Sequence, residues 1–173
     1  MGMIHEGATV VRGDSVTLEQ IGVIEELRKR KQYKFINPMA RTAEGLFVVD
    51  EETRMRQQRE AFFADIFLTG THAVTLDGKL DNIDGFGNRV AAMIFGPEKV
   101  IVVTGANKIV KDVNEAIERV RQIAAPLNAQ RHYMKHQWPA LGDLPCVRTG
   151  ICVDCNHEWR ICHITVIIEG TFA

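Results

Sequence analysis

Lys99-Val-Ile-Val-Val103, closed by Thr104-Gly105, carries four consecutive β-branched residues. Such a run has no polar face to turn to water, which is the pattern of a strand buried on both sides in a parallel sheet. It is expected at the centre of that sheet. Downstream, Asp112 is placed to cap a helix in which Val113, Ala116, Ile117, Val120, Ile123 and Ala124 recur at helical spacing until Pro126. That helix is expected to cover the strand. Upstream, Val10-Val11 leads through Gly13-Asp14-Ser15-Val16-Thr17 into a pattern of Leu18, Ile21, Ile24 and Leu27 that predicts one helix over 17–31, with Thr17 and Gln20 at capping-box spacing.

The remaining segments fit between these landmarks. Residues 33–36 and 65–68 read as short strands, 51–64 as a polar helix, and 73–76 with 79–83 as a hairpin about Asp77-Gly78. The glycine-rich loop 82–89 opens a short apolar helix over 90–95, and 164–168 reads as a last buried strand. Alternating strands and helices predict an α/β fold. No repeat, linker or low-complexity tract divides the chain, so 1–173 reads as one domain with a cysteine-rich loop at 146–162.

Composition narrows the function classes. A chain of 173 residues, 46% hydrophobic and 25% charged, is enough for one globular domain with its own core. Its 21 basic and 22 acidic residues nearly cancel, which argues against nucleic acid as a partner. No apolar stretch approaches the roughly 20 residues a membrane span needs, and no signal-peptide pattern opens the chain, so no membrane partner and a cytoplasmic location are expected. In a reducing compartment the four cysteines are not expected to pair as structural disulfides.

They fall as Cys146-x5-Cys152-x2-Cys155-x6-Cys162. A Cys-x2-Cys pair lets two thiolates of one turn reach one ion, and the outer two can complete a tetrahedral set for zinc or an iron-sulfur cluster. Free or redox-active thiols are the other reading. His157 and His163 are alternative ligands. His132 and His136 would share a helical face but have no carboxylate beside them, and they read as surface residues; Trp138 and Trp159 read as local packing anchors.

Two further groups can bind anions. The turn carrying Gly13, Ser15 and Thr17 can offer backbone N–H groups and two hydroxyls at a helix start, or it can simply cap the helix. Asp84, Asn88, Arg89 and Lys108 sit near expected strand ends, where open α/β sheets build their sites. They can bind a carboxylate or phosphate, with Arg89 bidentate; the other reading pairs Asp84 with Arg89 to hold the loop. All six side chains are expected to converge on one cleft.

Three segments then resemble one known family: Ala64-Asp-Ile-Phe-Leu-Thr-Gly-Thr-His-Ala-Val-Thr75, Asn82-Ile-Asp-Gly-Phe-Gly-Asn-Arg-Val-Ala-Ala92, and Gly150-Ile-Cys-Val-Asp-Cys155 with Arg160-Ile-Cys162, supported by Gly96-Pro-Glu-Lys-Val-Ile-Val-Val-Thr-Gly105 and Asn107-Lys108. They are similar to the lactate-utilisation (LUD) family over nearly the whole chain. The resemblance implies a three-layer αβα, Rossmann-like fold of the ribose-5-phosphate isomerase and CoA transferase type, either whole or truncated. It also implies a role in bacterial oxidation of lactate or a related organic acid beside iron-sulfur redox subunits. Gly70 and Thr71, in the first segment, join the candidate ligand-binding set. The expected ligand is a small organic acid or other anion, and a homo-oligomer is compatible with the reading. Two alternatives stay open: an isomerase- or transferase-like enzyme on a phosphorylated or CoA-linked substrate, with Ser15, Thr17, Arg89 and Lys108 as its anion pocket, and a metal-stabilised scaffold.

Overall fold

The computed structural model describes residues 3–170. Among the described residues the strands are β1 (Thr9–Arg12), β2 (Lys34–Ile36), β3 (Ile66–Thr69), β4 (Ala73–Thr75), β5 (Leu80–Asp84), β6 (Lys99–Val102), β7 (Ile109–Val110) and β8 (Ile164–Ile168). The α-helices are α1 (Val16–Gln20), α2 (Val23–Lys29), α3 (Glu51–Glu60), α4 (Asn88–Ile94), α5 (Val113–Arg119), α6 (Ala125–His136), α7 (Pro139–Gly142) and α8 (Pro145–Thr149). The chain divides into two compact units, Met1–Gly70 with Asn88–Gly105, and Thr71–Gly87 with Ala106–Ala173. The α/β class is as expected.

The first unit is built on four parallel strands in the order β2-β1-β3-β6. Side chains of a strand alternate between faces, and the sequence uses that alternation. Val10, Ile66 and Leu68 pack with Leu18, Ile24 and Leu27 of α1 and α2. Val11 and Phe67 line the opposite side with Ala61 and Gln58 from the α3 region. Helices thus cover both faces of a parallel sheet, as the crossover rule for such strands requires.

Lys99–Val102 forms a strand, but the expectation that it is the centre is corrected. It stands at the end of the strand order, with Lys99 exposed and Val100 to Val102 half-buried. The interior positions belong to β1 and β3, and all four residues of β3 are buried. A β-branched run reports strand propensity strongly and strand position weakly, because an end strand packed by helices also buries apolar side chains.

The predicted helix over 17–31 is two helices. Gly22 takes φ 74° between them, a left-handed conformation that interrupts the helical ladder. The cap is Ser15 rather than Thr17, its side chain accepting from the Leu18 N–H. A Cβ at Gly22 would meet nothing within 4 Å, so substitution there tests backbone strain alone. Gly22→Ala is expected to cost about 1 kcal/mol, read as a lower denaturant midpoint with an unchanged slope.

The second unit carries a mixed sheet in the order β7-β4-β5-β8. β4 and β5 form the expected antiparallel hairpin, with Gly78 at φ 92° in its turn. β7 joins β4 in parallel and β8 joins β5 antiparallel. Asp112 caps α5 through the Glu115 N–H as expected. That helix belongs with this second sheet, which corrects the expectation that it covers the Lys99 strand: Ala116, Val120 and Ala125 pack with Ala73, Ile83 and Val110. Ile117 is only half-buried. Its replacement by Ala is therefore expected to cost less than the roughly 2–5 kcal/mol of a fully buried site.

Pro126 does not end the helix. Val120–Ala124 is π-helical, and α6 continues from Ala125 with Pro126 in its first turn. The wider π turn makes room where an α-helical carbonyl would meet the proline ring. Gln137 ends α6 at φ 55°. β8 is half-buried with Thr165 exposed, not the fully buried strand expected, because it stands at the end of its sheet. Among the described residues no helix is long and apolar enough to cross a membrane.

Candidate functional site

In the first unit the carboxyl ends of β1 and β3 meet at two glycines that the packing requires. A Cβ on Gly13 would stand 3.1 Å from Thr69 Oγ1, 3.2 Å from Phe67 Cζ and 3.4 Å from Arg89 Cγ. On Gly70 it would stand 2.7 Å from Ser15 Oγ. The bare backbone lets Arg89 cross close to the end of β1, where its Nη1 donates to the Gly70 carbonyl at 3.1 Å. Gly13, Ser15, Gly70, Asn88 and Arg89 are therefore gathered at the strand ends of this unit, with Thr17 in the first turn of α1.

Arg12, at the end of β1, is 2% exposed. Its Nε donates to the Gly13 carbonyl (2.9 Å), its Nη1 to Glu19 (3.1 Å) and its Nη2 to the Ser15 carbonyl (3.4 Å), with Asp14 at 3.8 Å. A buried guanidinium must be paired, and here the turn that follows β1 pairs it. Ser15 Oγ accepts from the Leu18 N–H at 3.5 Å. In this unit the turn is thus a helix cap and an arginine clamp.

Beside Gly13, on the Val11 and Phe67 side of the sheet, a cavity of about 10 Å³ is lined by Met39, Gln58, Ala61 and Asn88, enough for about one water molecule. Gln58 is 9% exposed. Its neighbour Gln57 has a buried Oε1 without a partner, as does Asn37 Nδ2. The polar pattern of 51–64 does not mark either glutamine as buried. Gln58 lies three residues before the buried Ala61, but an amide at that spacing gives no sequence signal of its burial.

In the second unit Asp84 Oδ1 accepts from the Phe86 and Gly87 N–H groups at 3.1 and 2.9 Å, an Asx-type turn. Lys108 Nζ donates to the Thr71 carbonyl at 3.0 Å, and the Thr71 hydroxyl lies 3.1 and 3.2 Å from the Ala73 and Asp81 carbonyls. These three candidates brace the loops around β4 and β5.

The cysteines belong to the same unit. All four thiols are free and half-buried. Cys146 opens α8 and packs with Ile161 on the cluster of Ala129, Leu141 and Leu144. Cys162 packs on the core of the second sheet. Burial pushes the Cys146 thiol up, and Cys155, Cys162 and Cys152 push it further. Cys162 is likewise raised by burial, while Arg160 pulls it down and Cys152 and Cys155 add to the rise. After burial, Cys152 and Cys155 raise both of these thiols. Arg160 Nη1 donates to the Cys155 carbonyl at 2.8 Å and so ties the Cys-x2-Cys turn to the approach to Cys162. His157 Nδ1 accepts from the Trp159 N–H, and His163 is taken up by Arg160 and the Glu158 carbonyl. Among the described residues no group of three or more His, Cys, Asp or Glu side chains stands ready to hold an ion. The histidine pair of α6 stacks instead, His132 on His136 (5.4 Å) and His136 on Trp138 (4.4 Å), with Trp159 edge-on to Trp138 (6.4 Å).

Compared with known families, residues 1–172 match the LUD domain. The chain belongs to the LUD domain family. No curated protein matches it. Among solved structures the LUD domain is similar to ribose 5-phosphate isomerase from Plasmodium falciparum, at 15% identity and a TM-score of 0.34, over 72% of this chain and 61% of that one. The chain thus spans less than two thirds of the isomerase.

One residue of the LUD domain was not singled out as a site residue. Asp81, in β5 between β4 and β8, is 1% exposed, and neither carboxylate oxygen has a hydrogen-bond partner. Burial raises its pKa, and the Asn82 amide and the Arg121 charge offset only part of the rise. The hairpin alternation marks the position as inward-facing, beside Ile83 two residues on.

Proposed function

We propose that this LUD domain serves the utilisation of lactate or a related organic acid as a metal-bearing component of a redox assembly with iron-sulfur subunits. Membership of the family supports the organic-acid role. The observation that supports the metal reading is the group of four free, half-buried cysteines in one unit, two of them raised first by burial and then by neighbouring thiols, with both ring nitrogens of His163 engaged elsewhere. Cys146, Cys152, Cys155 and Cys162 would be the ligands. Metal would replace protons on the thiols, neutralise their mutual repulsion and draw the loop closed, the coupling of binding to folding that small metal sites use. Zinc there would be structural, and an iron-sulfur cluster would carry an electron.

The test is anaerobic purification of the full chain, followed by metal and acid-labile sulfide analysis and an absorption spectrum. One centre per chain is expected, with visible absorption if it is a cluster and none if it is zinc. Metal-free protein with four titratable thiols, unchanged by offered zinc or by iron and sulfide, overturns the reading.

A further inference from the structure

We infer that the first unit carries a self-docking surface at the amino ends of β3 and β6, built on Phe63, Ile94 and Phe95, and that its occupant is the same surface of a second copy of this chain. Phe63 is 90% exposed, Phe95 85% and Ile94 61%. Apolar side chains exposed singly are ordinary, whereas neighbouring ones mark docking sites. The backbone brings these three together. The Glu98 N–H donates to the Ala64 carbonyl at 3.1 Å and the Lys99 N–H to the Asp65 carbonyl at 3.0 Å, which lays the turn after α4 alongside the 3-10 turn Ala61–Phe63. At Gly96, with φ 127°, a Cβ would stand 2.8 Å from Phe62 Cα. Only glycine allows that approach, and it leaves Phe95 and Phe63 each one residue from the point of contact. At these exposures neither ring serves the core of its own unit.

Size and charge choose the occupant. Two phenylalanines exposed to this extent present on the order of 300–400 Å² of apolar surface, so with Ile94 and a polar rim a twofold pair would bury on the order of 1,000 Å². That is the low end for a specific interface, and it implies a dimer that forms reversibly with concentration. A twofold pair sets one patch against its own copy, so the rim must carry both signs of charge. It does: Arg59 and Lys99 flank the patch together with Glu60 and Glu98. An anionic membrane or a nucleic acid would instead select a rim of one sign. Gly13 and Gly70 lie at the opposite ends of β1 and β3, so pairing here leaves the carboxyl strand ends clear.

Sedimentation velocity of the full chain over a concentration series tests the surface. A monomer–dimer equilibrium with a Kd on the order of 10 μM is expected. Phe63→Ser and Phe95→Ser should each weaken it at least roughly tenfold while leaving the melting temperature in place, since both rings stand in solvent in the single chain. Phe86→Ser, which removes an equally exposed ring from the second unit, should leave the dimer unchanged. A chain that stays monomeric throughout the series overturns the inference, and so does a dimer that survives both Phe63→Ser and Phe95→Ser. Flotation of a monomeric wild type with vesicles of phosphatidylcholine and phosphatidylglycerol, lost in Phe63→Ser, would give the surface to a membrane and overturn the second copy as its occupant.

Discussion

Asp81→Asn is expected to raise the melting temperature of the chain at neutral pH and to flatten its pH dependence. The folded-state pKa of Asp81 is raised by burial, so the folded chain holds this proton more tightly than the unfolded chain does. Stability from the neutral carboxyl is therefore fully present below the unfolded value near 3.8 and is lost as pH rises toward the folded pKa. At neutral pH the domain carries that loss. The amide cannot ionise, so the substitution should recover on the order of 1–3 kcal/mol. For a chain of this size that is about 2–4 °C per kcal/mol. Thermal melts of both proteins from acid to neutral pH check it: the curves should converge in acid and separate as pH rises. Equal stability throughout would mean that Asp81 finds a partner in solution.

The second large effect is expected from Leu144→Ala. Leu144 is 1% exposed and, with Ala129 and Leu141, forms the floor on which Cys146, Val147 and Ile161 pack. Removing it should cost about 2–5 kcal/mol, since the short helices around it have little other apolar contact with which to close the cavity. The loss should also appear at the thiols. Cys146 owes its raised pKa first to burial, so a loosened floor should let it react faster with an alkylating reagent at neutral pH. Denaturant melts with timed alkylation and peptide mapping measure both. Lost stability with an unchanged Cys146 rate would separate the floor from the thiol.

Where the chain was legible, one element decided its own form. The Asp77-Gly78 hairpin, the Asp112 cap and the strand that ends in Arg12 rest on local turn and capping chemistry, which a few neighbouring residues specify. Position in a sheet is another matter. Lys99–Val102 and Ile164–Ile168 read as interior strands and stand at the ends of theirs, because hydrophobicity does not count a strand's neighbours. Gly22 and Pro126 were misjudged for opposite reasons: the glycine stayed hidden inside a good helical period and broke it, while the proline looked decisive and was absorbed by a π turn. Among the candidate residues, Gly13, Asn88 and Arg89 were legible as residues at strand and helix ends, and they lie in the first unit. Gln57 and Gln58 were not, since in sequence a buried amide looks like a solvated one.

The central claim is that the four cysteines bind one metal centre, and X-ray absorption at the metal edge of the anaerobically purified chain tests it most directly. Four sulfur scatterers at ~2.3 Å are expected for zinc. A cluster would show sulfur scatterers together with a metal–metal distance. Cys152→Ser should lower the sulfur count or lose the metal. A first shell of nitrogen and oxygen, or a spectrum indifferent to Cys152→Ser, would contradict the claim.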